Sequence, residues 1–259
     1  MTYPKALLVV SFGTSYEATR KNTIEAIEND LKTAFPDRTF FRAWTSGFIR
    51  RKIRERDGIV IPSIEEAMEE IAGMGVTDLL IQPTLMLAGG EYNKILSAVS
   101  TYAQRIETIR MGKPLLETET DIADMTDILF ELFPEQNKNQ MVAFMGHGSE
   151  DMRLPVYEWL NMAFEKAGKS RFCIGTVEFE PGIRPVLEKV RCLKPENVLL
   201  TPFLIVAGDH ASRDMSGEGE DSWKNRIAAE GVRVECLVKG LGEYPQIRTF
   251  FVKKAKELL

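Results

Sequence analysis

The feature of this sequence that most restricts its fold is a long resemblance to itself. The stretch "TDLLIQPTLMLAGGEY" from Thr77 lies over "ENVLLTPFLIVAGDHA" from Glu196. Each has an apolar run, a proline, a second apolar run, then Ala-Gly and a polar pair. The beginnings of the two halves match as well, "LLVVSFGTS" from Leu7 with "MVAFMGHGS" from Met141, and "FFRAWTSG" from Phe40 more loosely with "RFCIGTVEF" from Arg171. A repeat of this size reads as a duplicated supersecondary unit, so the two halves should fold alike.

Short β-rich runs alternate with amphipathic stretches along the whole chain, the pattern of a parallel sheet covered by helices. The candidate strands are Ala6 to Ser11, Thr39 to Trp44, Asp78 to Gln82, Pro114 to Glu117, Met141 to Gly146, Phe172 to Val177, Asn197 to Thr201 and Val232 to Val238. A helix is expected over Glu17 to Phe35, where Ile24, Ile27, Leu31 and Phe35 recur at helical spacing. Another is expected over Ile64 to Met74, after a Pro62-Ser63 start signal. The expectation is therefore an α/β protein of two pseudo-symmetric domains, residues 1–136 and 137–259, each with a four-stranded parallel sheet flanked by helices. The join falls near Pro134 to Asn139. Such sheets bind ligands beyond the carboxyl ends of their strands, which puts the expected site in a cleft between the halves.

Composition narrows the partners. A net charge of −5 and a pI near 5.4 supply no general attraction to polyanions, so nucleic acid is not expected. No apolar run approaches the roughly 18 to 20 residues that span a bilayer, and no signal-peptide pattern opens the chain. A soluble cytoplasmic protein without membrane contact is expected, and a homo-oligomer is compatible with these features. Cys173, Cys192 and Cys236 lack CxxC spacing and read as reduced thiols.

Only two histidines occur, each beside a glycine or one residue from it, after an apolar strand: His147 in Gly146-His147-Gly148 and His210 in Gly208-Asp209-His210. Their counterparts in the first half are Phe12 and Glu91, so the fold itself does not require them. Glu178 closes the strand "FCIGTVE". A carboxylate there is costly to bury unless paired, protonated or bound to metal. A surface glutamate and two loop-capping histidines are the plain alternative. Together on one sheet edge, two imidazoles and a carboxylate suit a divalent first-row metal with open coordination positions, cobalt, iron, nickel or zinc rather than magnesium.

Two small-residue loops, Ser11-Phe12-Gly13-Thr14 and Gly146 to Ser149, could cradle an anion at a helix N-terminus, though neither has Walker or dinucleotide spacing, so no nucleotide is expected. The run "IRRKIRER" gathers Arg50, Arg51, Lys52, Arg54 and Arg56. It reads either as a solvated helix face or as a guanidinium patch for a polycarboxylate, which Arg213 would extend.

Taken in order, "ALLVVSFGTSY", "FRAWTSGFIRRKIRERDGI", "GGEYNKI", "MGHG", "GTVE", "VAGDHA", "GEDSWKNR" and "GLGEYPQIR" cover nearly the full length. With these pieces the chain resembles the anaerobic sirohydrochlorin cobaltochelatases, within the ATP-independent single-subunit chelatases. The resemblance implies a chelatase-like fold and a metal site on His147, Glu178 and His210. The substrate pair it implies is a divalent metal, Co²⁺ before Fe²⁺ or Ni²⁺, and sirohydrochlorin or a related tetrapyrrole. Contacts to the macrocycle are expected from Ser11, Phe12, Gly13, Thr14, Arg50, Arg54, Gly89, Glu91, Tyr92 and Arg213, with Trp44, Tyr92 and Trp223 as candidate stacking partners or core residues. Some relatives carry a histidine where this chain reads Thr84-Leu85-Met86, and no role for it carries over. Three rivals remain: the same insertion with iron or nickel, a non-catalytic tetrapyrrole or metal carrier, and a phosphohistidine enzyme. The last needs an arginine beside His147, where Gly146 and Gly148 stand.

Overall fold

The structure is a computed structural model that describes residues 4–134, 139–151 and 154–259. It divides into two compact units, one formed by the chain up to Leu115 together with Gly242–Leu259, the other by Leu116–Leu241.

The first unit carries β1 (Lys5–Ser11), α1 (Glu17–Asn22), α2 (Ile24–Ala34), β2 (Thr39–Trp44), α3 (Gly47–Asp57), α4 (Ile64–Gly73), β3 (Asp78–Pro83), α5 (Gly90–Ser100) and β4 (Thr108–Met111). The four strands are parallel in the order β2-β1-β3-β4. Central β1 is continuously apolar because helices cover both faces of the sheet. On one face Ala6, Leu8, Val10, Leu79 and Ile81 pack against Ile64, Met68 and Ile71 of α4 and Ile95 and Val99 of α5. A reciprocal box between Ser63 and Glu66 starts α4 by satisfying backbone donors that the first turn leaves open.

Two expectations change here. The helix expected over Glu17 to Phe35 is two helices, broken at Thr23, whose hydroxyl donates to the Thr19 carbonyl at 2.5 Å. The fourth strand is Thr108–Met111, not Pro114 to Glu117. Proline cannot donate to a ladder, and Leu115 and Leu116 are instead buried in the connection that follows. Edge strand β4 escaped notice because it is short and carries Arg110, which pairs with Asp78 on β3.

The second unit repeats the plan with α6 (Glu119–Leu132), β5 (Gln140–Gly146), α7 (Val156–Lys166), β6 (Phe172–Thr176), α8 (Arg184–Leu193), β7 (Asn197–Pro202), α9 (Trp223–Ala228) and β8 (Arg233–Cys236). Its parallel strand order, β6-β5-β7-β8, is the order of the first sheet. Matching Val10 and Met145, which pair with Pro83 and Pro202, makes Phe12 the structural counterpart of His147. One face of this sheet holds Met141, Ala143 and Met145 against Val186, Val190, Trp223 and Ile227. On the other, Phe144 meets Phe133, Phe164, Phe172 and Phe203 at ring separations of 5.3 to 6.3 Å.

The packing groups the helices differently from a division at 136/137, a point that itself lies outside the described residues. Helix α6 joins the second unit, where Phe130 touches Phe164 and Phe172. The last helix, α10 (Pro245–Lys256), returns to the first unit and lies on α2, with Arg248 Nε donating to Asp30 at 2.7 Å. No described helix is long and apolar enough to cross a membrane.

Candidate metal centre

The site begins where β5 ends. All seven residues of β5 are buried, and the chain emerges at Gly146-His147-Gly148. Pairing with the next strand runs past the regular ladder: Val177 N donates to Gly146 O and Glu178 N to His147 O, both at 2.8 Å. These two bonds draw Glu178 alongside His147.

Both glycines are there for space. A Cβ on Gly146 would stand 2.4 Å from the Tyr157 ring, and one on Gly148 would stand 1.8 Å from the Glu178 carbonyl oxygen, with φ at +85° besides. Tyr157, from α7, accepts a hydrogen bond from Gly148 N at 3.1 Å. Burial pushes its hydroxyl up to about 12, so it stays a neutral phenol that supports the loop. Beyond Glu178, the Thr176 hydroxyl donates to Phe179 O and accepts from Gly182 N, each at 2.9 Å, closing the turn after β6.

His210 arrives by another route. After Pro202 the chain runs to Gly208 and enters a π-helical turn, His210–Met215, a wide turn often found at functional sites. Ser216 N reaches Ala211 O at 3.3 Å across it. Ala211 and Met215 are buried and anchor the turn. Asp214 then comes next to the histidine: His210 Nδ1 is 2.7 Å from Asp214 Oδ2.

The two imidazoles meet edge to face, with centroids 4.9 Å apart and planes at 88°. His210 Nε2 lies 3.9 Å from Glu178 Oε1. One donor atom from each of His147, Glu178 and His210 falls within 4.8 Å of the others. His147 Nδ1 lies 2.8 Å from the Gly148 carbonyl. A carbonyl and a carboxylate can only accept, so each Nδ1 carries the hydrogen and each Nε2 presents its lone pair. Bonds of about 2.0 to 2.2 Å to one ion require the three donors to close by roughly 1 Å, within reach of side-chain rotation at so exposed a site. The set leaves coordination positions open and excludes no first-row divalent ion by donor type.

The other expected site residues divide. In the first unit, Arg50, Arg51 and Arg54 of α3 line a cavity of about 590 Å³ with Gly47, Glu55, Val60, Ile61 and Glu66. Arg50 donates to Glu66 at 3.1 Å. Phe12 is exposed beyond β1, and Gly13 approaches Trp44 so closely that a Cβ would lie 2.6 Å from its ring. The side chains of Ser11, Thr14 and Tyr92 are buried, Ser11 accepting from Thr84 at 2.8 Å and Tyr92 donating to Gly112 O at 3.1 Å. Gly89 caps α5, and Glu91 on its first turn pairs with Lys94. Arg213 is exposed, 3.9 Å from Asp209. Trp44 and Trp223, like Tyr92, are core residues rather than stacking platforms. Sequence reasoning missed Asp214 and Tyr157. The spacing His-x-x-x-Asp in "HASRD" was the available signal, and it gains meaning only once that stretch is known to be helical.

A parallel α/β unit that gathers two imidazoles and one carboxylate beyond its strand ends has the donor set of α/β proteins that could hold a divalent transition metal with positions left open. The chain belongs to the cobalt chelatase (CbiK) family, whose sequence profile matches residues 5–259. It is 38% identical over 255 residues to the sirohydrochlorin cobaltochelatase of Salmonella typhimurium, covering 98% of this chain and 96% of that one. A second relative, the sirohydrochlorin cobaltochelatase CbiKC of Nitratidesulfovibrio vulgaris, is 26% identical over 246 residues, 93% of this chain and 85% of the relative. The solved structure of SirB from Bacillus subtilis with Fe³⁺ shares the fold, with a TM-score of 0.66 at 14% identity and coverage of 98% and 95%.

Proposed function

We propose that this protein is a sirohydrochlorin cobaltochelatase: it inserts Co²⁺ into sirohydrochlorin, with His147, Glu178 and His210 as the groups that receive the metal. The observation that carries the reading is the convergence of those three donors within 4.8 Å, both histidines already committed to offering Nε2. Full-length similarity to two cobaltochelatases supplies the substrate.

Insertion requires the macrocycle to lose two inner N–H protons as the metal exchanges protein ligands for pyrrole nitrogens. A three-donor site suits this exchange because it binds the ion without saturating it. As the metal leaves, the freed imidazoles and the Glu178 carboxylate become acceptors for the protons released. The carboxylates of the substrate need cations. The guanidinium groups of Arg50, Arg51 and Arg54, which share one cavity of the first unit, have the chemistry to bind them.

The test is an anaerobic absorbance assay with sirohydrochlorin and Co²⁺, Fe²⁺, Ni²⁺ or Zn²⁺. Conversion well above the spontaneous rate with Co²⁺, lost in His147→Ala and His210→Ala and shifted to higher KM in Arg54→Ala, is expected. Folded protein giving no acceleration with any metal would overturn the enzyme reading in favour of a carrier, and faster insertion of Fe²⁺ or Ni²⁺ would reassign the metal.

A further inference from the structure

We infer that Asp214 is a positioning residue of the metal centre, setting the orientation and tautomer of His210. The inference rests on the metal-centre reading above and concerns a residue to which that reading gives no part.

The two histidines are held differently. His147 Nδ1 faces the carbonyl of the adjacent Gly148, so its partner is supplied by the backbone of its own loop. His210 Nδ1 instead meets a side chain, the Asp214 carboxylate four residues on, at 2.7 Å. Sequence distance and turn geometry both matter. The π-helical turn brings residues 210 and 214 to the same side while Ala211 and Met215 face the core. Asp214 has 49% of its side chain exposed and His210 33%. A carboxylate so placed has no burial requirement to meet, which separates its contact with His210 from any role in the core.

An acceptor on Nδ1 fixes the ring so that Nε2 points where Glu178 Oε1 stands, 3.9 Å away. Without it the imidazole is free to adopt the other tautomer or to rotate about χ1 and χ2, and the donor set loses one member for part of the time. Groups of this kind change metal affinity by about 10- to 100-fold when removed.

Co²⁺ binding is the direct readout, followed by the visible d–d bands of the bound ion. Asp214→Ala and Asp214→Leu are expected to weaken Co²⁺ binding by about 10- to 100-fold and to alter those bands, with the thermal midpoint of the metal-free protein near that of the parent. Asp214→Asn, whose amide oxygen can accept the same N–H, should recover a large part of the affinity and the parent spectrum. Affinity and bands unchanged in both Ala and Leu variants would overturn the inference. So would equal losses in Asn and Ala, which would point to charge attraction instead of orientation. His147→Ala separates the two levels. If it abolishes binding while Asp214→Ala leaves affinity at the parent value, only this inference fails; if the parent protein binds no Co²⁺, the metal-centre reading fails and carries the inference with it.

Discussion

Replacing Gly148 by alanine should open the metal centre without unfolding the protein. The new methyl group would be built 1.8 Å from the Glu178 carbonyl oxygen, against a limit of 3.0 Å that real Cβ contacts respect. The obstacle is backbone, so no rotamer change relieves it. The two exits must separate by roughly 1 Å, a displacement that can cost about 100-fold where reacting groups must be aligned. Holding alanine at φ +85° adds about 1 to 2 kcal/mol. Loss of the Glu178 N to His147 O bond and of the Gly148 N to Tyr157 bond adds about 1 kcal/mol each. The total, about 3 to 4 kcal/mol, is below the usual 5 to 15 kcal/mol of a folded domain. The assay pairs a urea unfolding curve with a Co²⁺ titration. Folded protein with at least tenfold weaker Co²⁺ binding is expected. Parent-like binding would refute the idea that the contact between the two strand exits sets the distance from His147 to Glu178.

Two further expectations concern parts of the protein away from the donors. Tyr157→Phe keeps the ring beneath Gly146 but leaves Gly148 N–H without its acceptor, and should lower stability by about 1 to 3 kcal/mol in urea unfolding; an unchanged midpoint would mean that solvent takes over the bond. Glu28 is buried on α2 with one oxygen on Arg42 at 2.5 Å, and burial pushes its carboxyl from 4.5 up to about 7 despite that partner. Because the folded state holds the proton more tightly, the stability it contributes is fully present below about pH 4.5 and is lost as pH rises through about 7, on the order of 3 kcal/mol. Glu28→Gln should therefore flatten stability between pH 5 and 8 and gain most at the upper end, as read by unfolding midpoints across that range. A parallel pH slope in parent and variant would assign the loss to another group.

Much of this protein could be read directly from its residues. Seven of the eight strands are legible, the central four most plainly, because central strands of a parallel sheet are buried on both faces and must be almost continuously apolar, as β1 and β5 are. The candidate donors were legible for a related reason. In such a sheet a polar residue just past an apolar run must emerge at the carboxyl edge, so His147 and Glu178 announce themselves by position. Edge strand β4 was hidden because half-buried Thr108–Met111 lacks that apolar signal. Other properties exist only in three dimensions. The clash waiting at Gly148 depends on a neighbour 30 positions away, the pairing of His210 with Asp214 on a π-helical turn, and the return of α10 to α2 on a contact 218 positions apart in sequence. The residues alone determined which side chains reach the strand ends, since burial acts on each run locally. Their distances were decided by tertiary structure, because hydrogen bonds and close packing between remote segments set them.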